Sequence, residues 1–105
     1  MIKITTLIPT TYNDGKEVSP QVFKSFEKAV MKIAGGYSLD GLTKGGYMEG
    51  EEEFEDISRR YIIIVPNSRI AWKIKKLVTR IGKQLQQYSM YYEQQRIKVK
   101  FIETK

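Results

Sequence analysis

The side chains able to do chemistry in this chain are carboxylates, lysines, arginines and tyrosines, because it contains no histidine and no cysteine. That removes the commonest general base, the usual zinc ligands and any Ser-His or Cys-His nucleophile pair. A pair such as Asp14 and Glu17 has the functional groups for acid-base work, yet its spacing and surroundings give no reason for a shifted pKa. The expectation is a chain with no catalytic constellation, no cofactor and no metal centre. The run Glu51, Glu52, Glu53, Glu55 and Asp56 offers hard oxygen ligands to Mg²⁺ or Ca²⁺, but the spacing of a calcium loop is missing. Such runs otherwise form solvated hairpin ends or charges that keep an edge strand from pairing. Docking of this run on the lysine-rich helix of another copy is a third reading.

The segment from Arg69 to Tyr88 carries the strongest signal for binding. At 100° per residue, Ile70, Ile74, Leu77, Val78, Ile81, Leu85 and Tyr88 fall in one stripe, while Arg69, Lys73, Lys76, Arg80 and Lys83 gather on the other side. Trp72, the single tryptophan, falls among the cations. Lysines and arginines suit phosphates, and an indole plane suits a base or a guanidinium, so these six residues form a candidate anion site with nucleic acid as its first partner. A nucleotide or other small anionic ligand held between subunits is the alternative, and a protein-protein inhibitor or adaptor a third. The plain reading is a solvated face with Trp72 folded over the first helical turn or buried at a subunit contact. No aromatic ribonucleoprotein motif, GxxG clamp or helix-turn-helix spacing accompanies the face. Gly35-Gly36-Tyr37 and Gly45-Gly46-Tyr47 lack the helix N-terminus and lysine of a phosphate loop and read as turns. Tyr88, Tyr91 and Tyr92 with neighbouring glutamines form an aromatic polar patch, Tyr88 being assigned to the core.

These residues must be positioned by a small frame. The chain has 105 residues, 41% of them hydrophobic, and a net charge of +6, which fits one domain with a core of its own. From Ser58 onward the only acids are Glu93 and Glu103, so the C-terminal half is far more cationic than the average. The start has no basic segment followed by an apolar run, and no stretch approaches the roughly 18 apolar residues of a membrane span, so a cytoplasmic protein with no membrane partner is expected.

Ile2, Ile4, Thr6 and Ile8 alternate with Lys3, Thr5 and Leu7 as in a strand, closed by Pro9. Ser19 and Pro20 start a helix, Val22, Phe23, Phe26, Ala29, Val30 and Ile33 make its apolar stripe, and Gly35-Gly36 stops it. Tyr37 to Met48 reads as an irregular edge strand with a bulge. Tyr61 to Val65 reads as a central strand apolar on both faces. Asn67 or Ser68 caps the basic helix, and Arg96 to Glu103 alternates as a last strand. The order β-α-β-β-α-β is the ferredoxin-like, split βαβ, α+β pattern, a four-stranded antiparallel sheet with both helices on one face. The other face is open, and Leu7, Ile63 and Ile102 are expected on it as a surface for a homo-oligomer.

Phe23 and Phe26 in the capped first helix, Gly-Gly-Tyr-Ser at 35 to 38, Gly45-Gly46-Tyr47, the charged loop and Glu93-Gln94 together resemble a small bacterial domain family of unknown function, mostly exported lipoproteins. The resemblance spans nearly the whole chain and implies the ferredoxin-like fold, with no activity to carry over. The chain departs from it by lacking an export signal and by having Gly46-Tyr47 where the family tends to carry a tryptophan.

Overall fold

A computed structural model describes Met1–Lys105. Its elements are β1 (Ile2–Pro9), α1 (Pro20–Ala34), β2 (Ser38–Glu49), β3 (Glu52–Val65), α2 (Ser68–Gln84) and β4 (Tyr91–Arg96). The four strands form one antiparallel sheet in the order β2-β3-β1-β4. With two helices on one face, this is the ferredoxin-like α+β fold.

Helix boundaries follow from local chemistry. The Ser19 Oγ accepts from the Gln21 N–H at 3.2 Å, and Pro20 occupies the first turn, where no N–H is needed. Gly35 ends α1 at φ 88° and donates its N–H to the Met31 carbonyl. Because a Cβ is strained in that left-handed conformation, Gly35→Ala should cost about 1 kcal/mol, read as a lower urea midpoint with unchanged slope. The Asn67 Oδ1 caps α2 by accepting from the Ile70 N–H at 3.0 Å.

The core sits between the helices and one sheet face. Ile2, Ile4 and Ile8 of β1, Tyr61, Ile63 and Val65 of β3, Phe23, Phe26 and Val30 of α1, and Ile74, Val78, Ile81 and Leu85 from the α2 stripe are all buried. Strand register decides which face each residue joins. Ile63 pairs with Ile4, whereas Leu7 pairs with Arg60 three positions along β3, so Leu7 and Ile63 point to opposite faces. Ile63 is therefore fully buried beneath the helices and not on the open face, correcting the expectation. The open face instead presents Leu7, Ile62 and Ile64 among Lys3, Thr5 and Arg60, all of them half-buried except the exposed Arg60, which is paired to Asp40 at 2.6 Å.

Two boundaries also differ from expectation. The last strand is the polar stretch Tyr91–Arg96, because Ile2 is already opposite Arg96 and β1 supplies no further partner. Ile97 donates its N–H to the Met1 carbonyl, and from there to Lys105 the chain is outside the sheet. Ile102 is consequently 84% exposed beyond the sheet rather than on its open face. Helix α2 stops at Gln84 with Gln86 in left-handed conformation at φ 58°. This turn carries Tyr88 off the stripe into solvent, fully exposed instead of in the core.

The acidic run is not a loop. Gly45–Glu49 and Glu52–Asp56 pair beyond the end of β1 as a two-stranded arm with Gly50-Glu51 at its tip. At roughly 3.4 Å per residue the five paired levels extend about 17 Å. The expected irregularity of β2 is a register shift between Leu39 and Leu42, with Gly41 at φ 86°.

Candidate functional site

A cleft of about 420 Å³ opens where the arm leaves the body. Its walls come from three distant parts of the chain: Asn13 in the β1-α1 connection, Tyr47, Glu49 and Asp56 on the arm, and Tyr88 after α2. An adjoining hollow of about 390 Å³ shares these walls and adds Tyr12, Phe54 and Glu55. Tyr47 and Phe54 are directly opposed across the two strands and stack with ring centroids 5.3 Å apart and planes 17° from parallel. The two connections are tied together by Asn13, whose Nδ2 donates to the Gln86 carbonyl at 3.1 Å and whose Oδ1 accepts from Gln87 Nε2 at 3.2 Å.

The electrostatics of the cleft are opposite to those of the whole chain. Glu49 and Asp56 line it, Glu55 at the edge of the adjoining hollow is paired with Lys44 at 3.6 Å, and no lysine or arginine is among the lining residues, although the chain carries +6. Carboxylates of this kind disfavour a phosphate and favour a neutral or cationic group. Flat aromatic walls suit a planar ring, by stacking or by cation-π attraction. The carboxylates of the acidic run are spread from the tip along β3, on alternating faces, rather than gathered round a point.

The basic helix face is formed as its periodicity indicates. Arg69, Trp72, Lys73, Lys76, Arg80 and Lys83 are all exposed, and no carboxylate pairs with any of these cations. Trp72 is 57% exposed, not folded into its own core, and the Lys76 Nζ lies 4.4 Å from its ring centroid. The cleft and this face are separate places: none of the six residues lines the cleft.

A third polar constellation holds α1 to the sheet. Glu27 sits on α1 beside the buried Phe23, Phe26 and Val30. Its Oε2 accepts from the Tyr61 hydroxyl at 2.6 Å and pairs with Arg59 at 3.4 Å, while Oε1 accepts from the Tyr37 hydroxyl at 3.1 Å. The Arg59 guanidinium stacks over Phe23 at 4.0 Å, and the Phe26 and Tyr61 rings meet edge to face. Burial, then the bond to the Glu27 carboxylate, pushes the Tyr61 phenol well above its usual range. The same carboxylate raises Tyr37. None of the four residues lines the cleft, so their role is to fix the helix on the sheet. Asp14 and Glu17 do not form an acid-base pair, since the Asp14 Oδ1 accepts from the Lys16 N–H at 3.0 Å in a local turn and Glu17 bridges to Thr11.

Sequence periodicity located the basic face but missed both the cleft and the Glu27 cluster. The cleft joins residues more than 70 positions apart, which no local pattern records. Glu27 did leave a signal: a carboxylate one residue after a core phenylalanine on the apolar side of a helix needs a partner.

Fold and cleft together define a ferredoxin-like α+β protein with an acidic, aromatic cleft at the root of a two-stranded arm. No described protein family and no curated protein sequence matches the chain. Among solved structures it is similar to a phage SAM lyase in complex with S-methyl-5'-thioadenosine, at 17% identity and TM-score 0.70, over 90% of this chain and 79% of that one. It is also similar to the divalent cation tolerance protein CutA1 from Thermus thermophilus, at 14% identity and TM-score 0.64, over 96% and 88% of the two chains. A CutA1 from Pyrococcus horikoshii follows at 15% identity and TM-score 0.61, over 98% and 87%. At these identities the likeness is one of fold. No helix of the chain is long and apolar enough to cross a membrane.

Proposed function

We propose that this protein binds a neutral or positively charged nucleoside, of the adenosyl thioether or sulfonium kind, in the cleft at the root of the arm. The observation that carries this is the lining: a stacked Tyr47–Phe54 pair with the carboxylates of Glu49 and Asp56 on the same face of the arm, neither of them in an ion pair. A purine has a face for the aromatic wall, and Glu49 and Asp56 accept from ribose hydroxyls or face a sulfonium. The ligand named for the phage SAM lyase, S-methyl-5'-thioadenosine, is a nucleoside of this class and supports the choice. The small-ligand reading thereby changes sign, from an anionic nucleotide to an uncharged or cationic nucleoside.

Calorimetric titration separates these. S-methyl-5'-thioadenosine should bind and AMP, which differs chiefly by its phosphate, should bind at least tenfold more weakly. Tyr47→Ala should weaken the thioadenosine about tenfold, a stacking loss of about 1.4 kcal/mol. Tighter binding of AMP, or no effect of Tyr47→Ala, would refute the assignment. Incubation with S-adenosylmethionine in the same series tells binding from turnover: S-methyl-5'-thioadenosine released together with homoserine lactone, the substrate's own carboxylate displacing the sulfur at Cγ, makes the protein a lyase, and an unchanged ligand leaves it a binder.

A second reading rests on a different observation, the unpaired cations around exposed Trp72. On this reading α2 is an anion-binding face with nucleic acid as partner. Binding to a random oligonucleotide should then fall steeply between 50 and 200 mM salt, by about 500-fold for five phosphate contacts, and be lost in Lys73→Glu with Arg80→Glu. Flat salt dependence would refute this reading.

A further inference from the structure

The sheet has a long free edge, and the chain has a strand-forming segment with nothing to pair with. Ile97, Val99 and Phe101 alternate with Lys98, Lys100 and Ile102, the period of a strand rich in β-formers. Yet β1 ends opposite Arg96, and beyond the Ile97 N–H bond to the Met1 carbonyl residues 98–102 have no strand partner, with Phe101 86% and Ile102 84% exposed. At the opposite edge of the sheet β2, 12 residues long, is hydrogen-bonded on one side only. Exposed Leu39, Leu42, Tyr47 and Met48 lie along it. An edge of that length is a ready template for another strand, and apolar residues in such number on it are uncommon on a surface that stays bare.

We infer that residues 97–102 of one copy add as a strand to β2 of a second copy. Within one chain the pairing is closed off, because β3 and β1 lie between β4 and β2 in the sheet. The charges are matched. Lys98 and Lys100 would run beside the arm, where Glu49, Glu51, Glu52, Glu53 and Glu55 are held with one ion pair among them, Lys44–Glu55 at 3.6 Å. The length suits the arm too, since six residues of strand span about 20 Å against an arm of about 17 Å. Such a contact joins different surfaces of the two copies, so it closes into a ring or continues as a chain. The second copy also seals the arm, which as a two-stranded ribbon in water has too little apolar cover to hold itself. It does so beside Tyr47, at the mouth of the cleft.

Sedimentation and light scattering on the full chain test this, with hydrogen exchange to place the contact. The wild type should form a particle of at least twice 12.2 kDa. Backbone amides of 98–102 and of the outer side of β2 should be protected from exchange. Val99→Pro with Lys100→Pro removes donors from both sides of the segment and lies outside every element of the fold. This variant should run as a monomer with native circular dichroism, and its 98–102 and β2 amides should exchange at least 100-fold faster. Glu52→Lys with Glu53→Lys, which leaves the segment intact, should weaken association at least tenfold at low salt. A wild-type monomer at 100 µM overturns the inference, and so does an oligomer whose size and exchange pattern survive the two prolines. Ligand binding by the monomeric proline variant leaves the cleft reading standing, so the two claims fail separately.

Discussion

Ile63→Ala should lower the unfolding free energy by about 4 kcal/mol, measured by urea denaturation. Ile63 is fully buried and lies on the same sheet face as Ile4 and Val65 under both helices. Truncation there loses the transfer free energy of three carbons and leaves a cavity among neighbours that are held by the sheet. Leu7→Ala is the control on the opposite face. Leu7 is half-buried, and its truncation should cost about 1 kcal/mol. Were Ile63 a docking residue on the open face, the two costs would be alike and the effect would appear in association instead.

Glu27→Gln should cost about 3 kcal/mol, the second largest expected effect. The carboxylate is the shared acceptor of two phenols and the partner of Arg59, with side chains of Glu27 and Arg59 only 16% and 30% exposed. Removing its charge leaves a guanidinium in poorly solvated surroundings with nothing opposite it. The cluster also sets a pH limit. The Tyr61 phenol is raised above its ordinary value of 10.0 in the folded chain, so its neutral form belongs to the native state. Its contribution is complete below pH 10 and is lost as pH rises toward the folded value, because the unfolded chain ionises first. Stability should therefore fall above about pH 10, and Tyr61→Phe should flatten that fall while costing about 1 kcal/mol at neutral pH for the lost hydrogen bond. Equal alkaline slopes in the two proteins would refute the cluster's role.

What could be read from the residues alone divides along the range of the interactions involved. The α1 stripe, the caps at Ser19 and Asn67, the stop at Gly35 and the basic face of α2 are set by neighbours a turn or less away, and the expectations for them agree with the fold. The four-stranded topology followed from the order of those elements. Errors arose where a distant partner decides. Alternation in Ile97 to Ile102 is genuine strand character, but a strand needs a partner, and β1 ran out at Ile2. Placing Leu7 beside Ile63 needed the β1-β3 register, which alternation alone does not fix. Tyr88 fitted the helical period and was lost to it by the left-handed turn at Gln86. The acidic run was legible as a solvated hairpin end but not as an outward continuation of β3, because glutamate is a poor strand former and the pairing with β2 overrides that.

The cleft shows the same limit in its functional form. Tyr47 and Phe54 are seven residues apart and become a stacked wall only through the turn at Gly50-Glu51. Tyr88 and Asn13 join them only because the β1-α1 and α2-β4 connections are tied by Asn13 and Gln87. Net charge pointed toward an anionic partner, and it describes the α2 face well. A local field is set by the nearest groups, however, and at the cleft those are carboxylates.

The central claim is that this cleft, and not the cationic helix, receives a small nucleoside. The most direct measurement is amide chemical-shift mapping of the full chain titrated with S-methyl-5'-thioadenosine. Shifts confined to Asn13, Tyr47, Glu49, Phe54, Asp56 and Tyr88 are the predicted result. Shifts centred on Arg69, Trp72, Lys73 and Lys76, with the cleft residues unmoved, would contradict it.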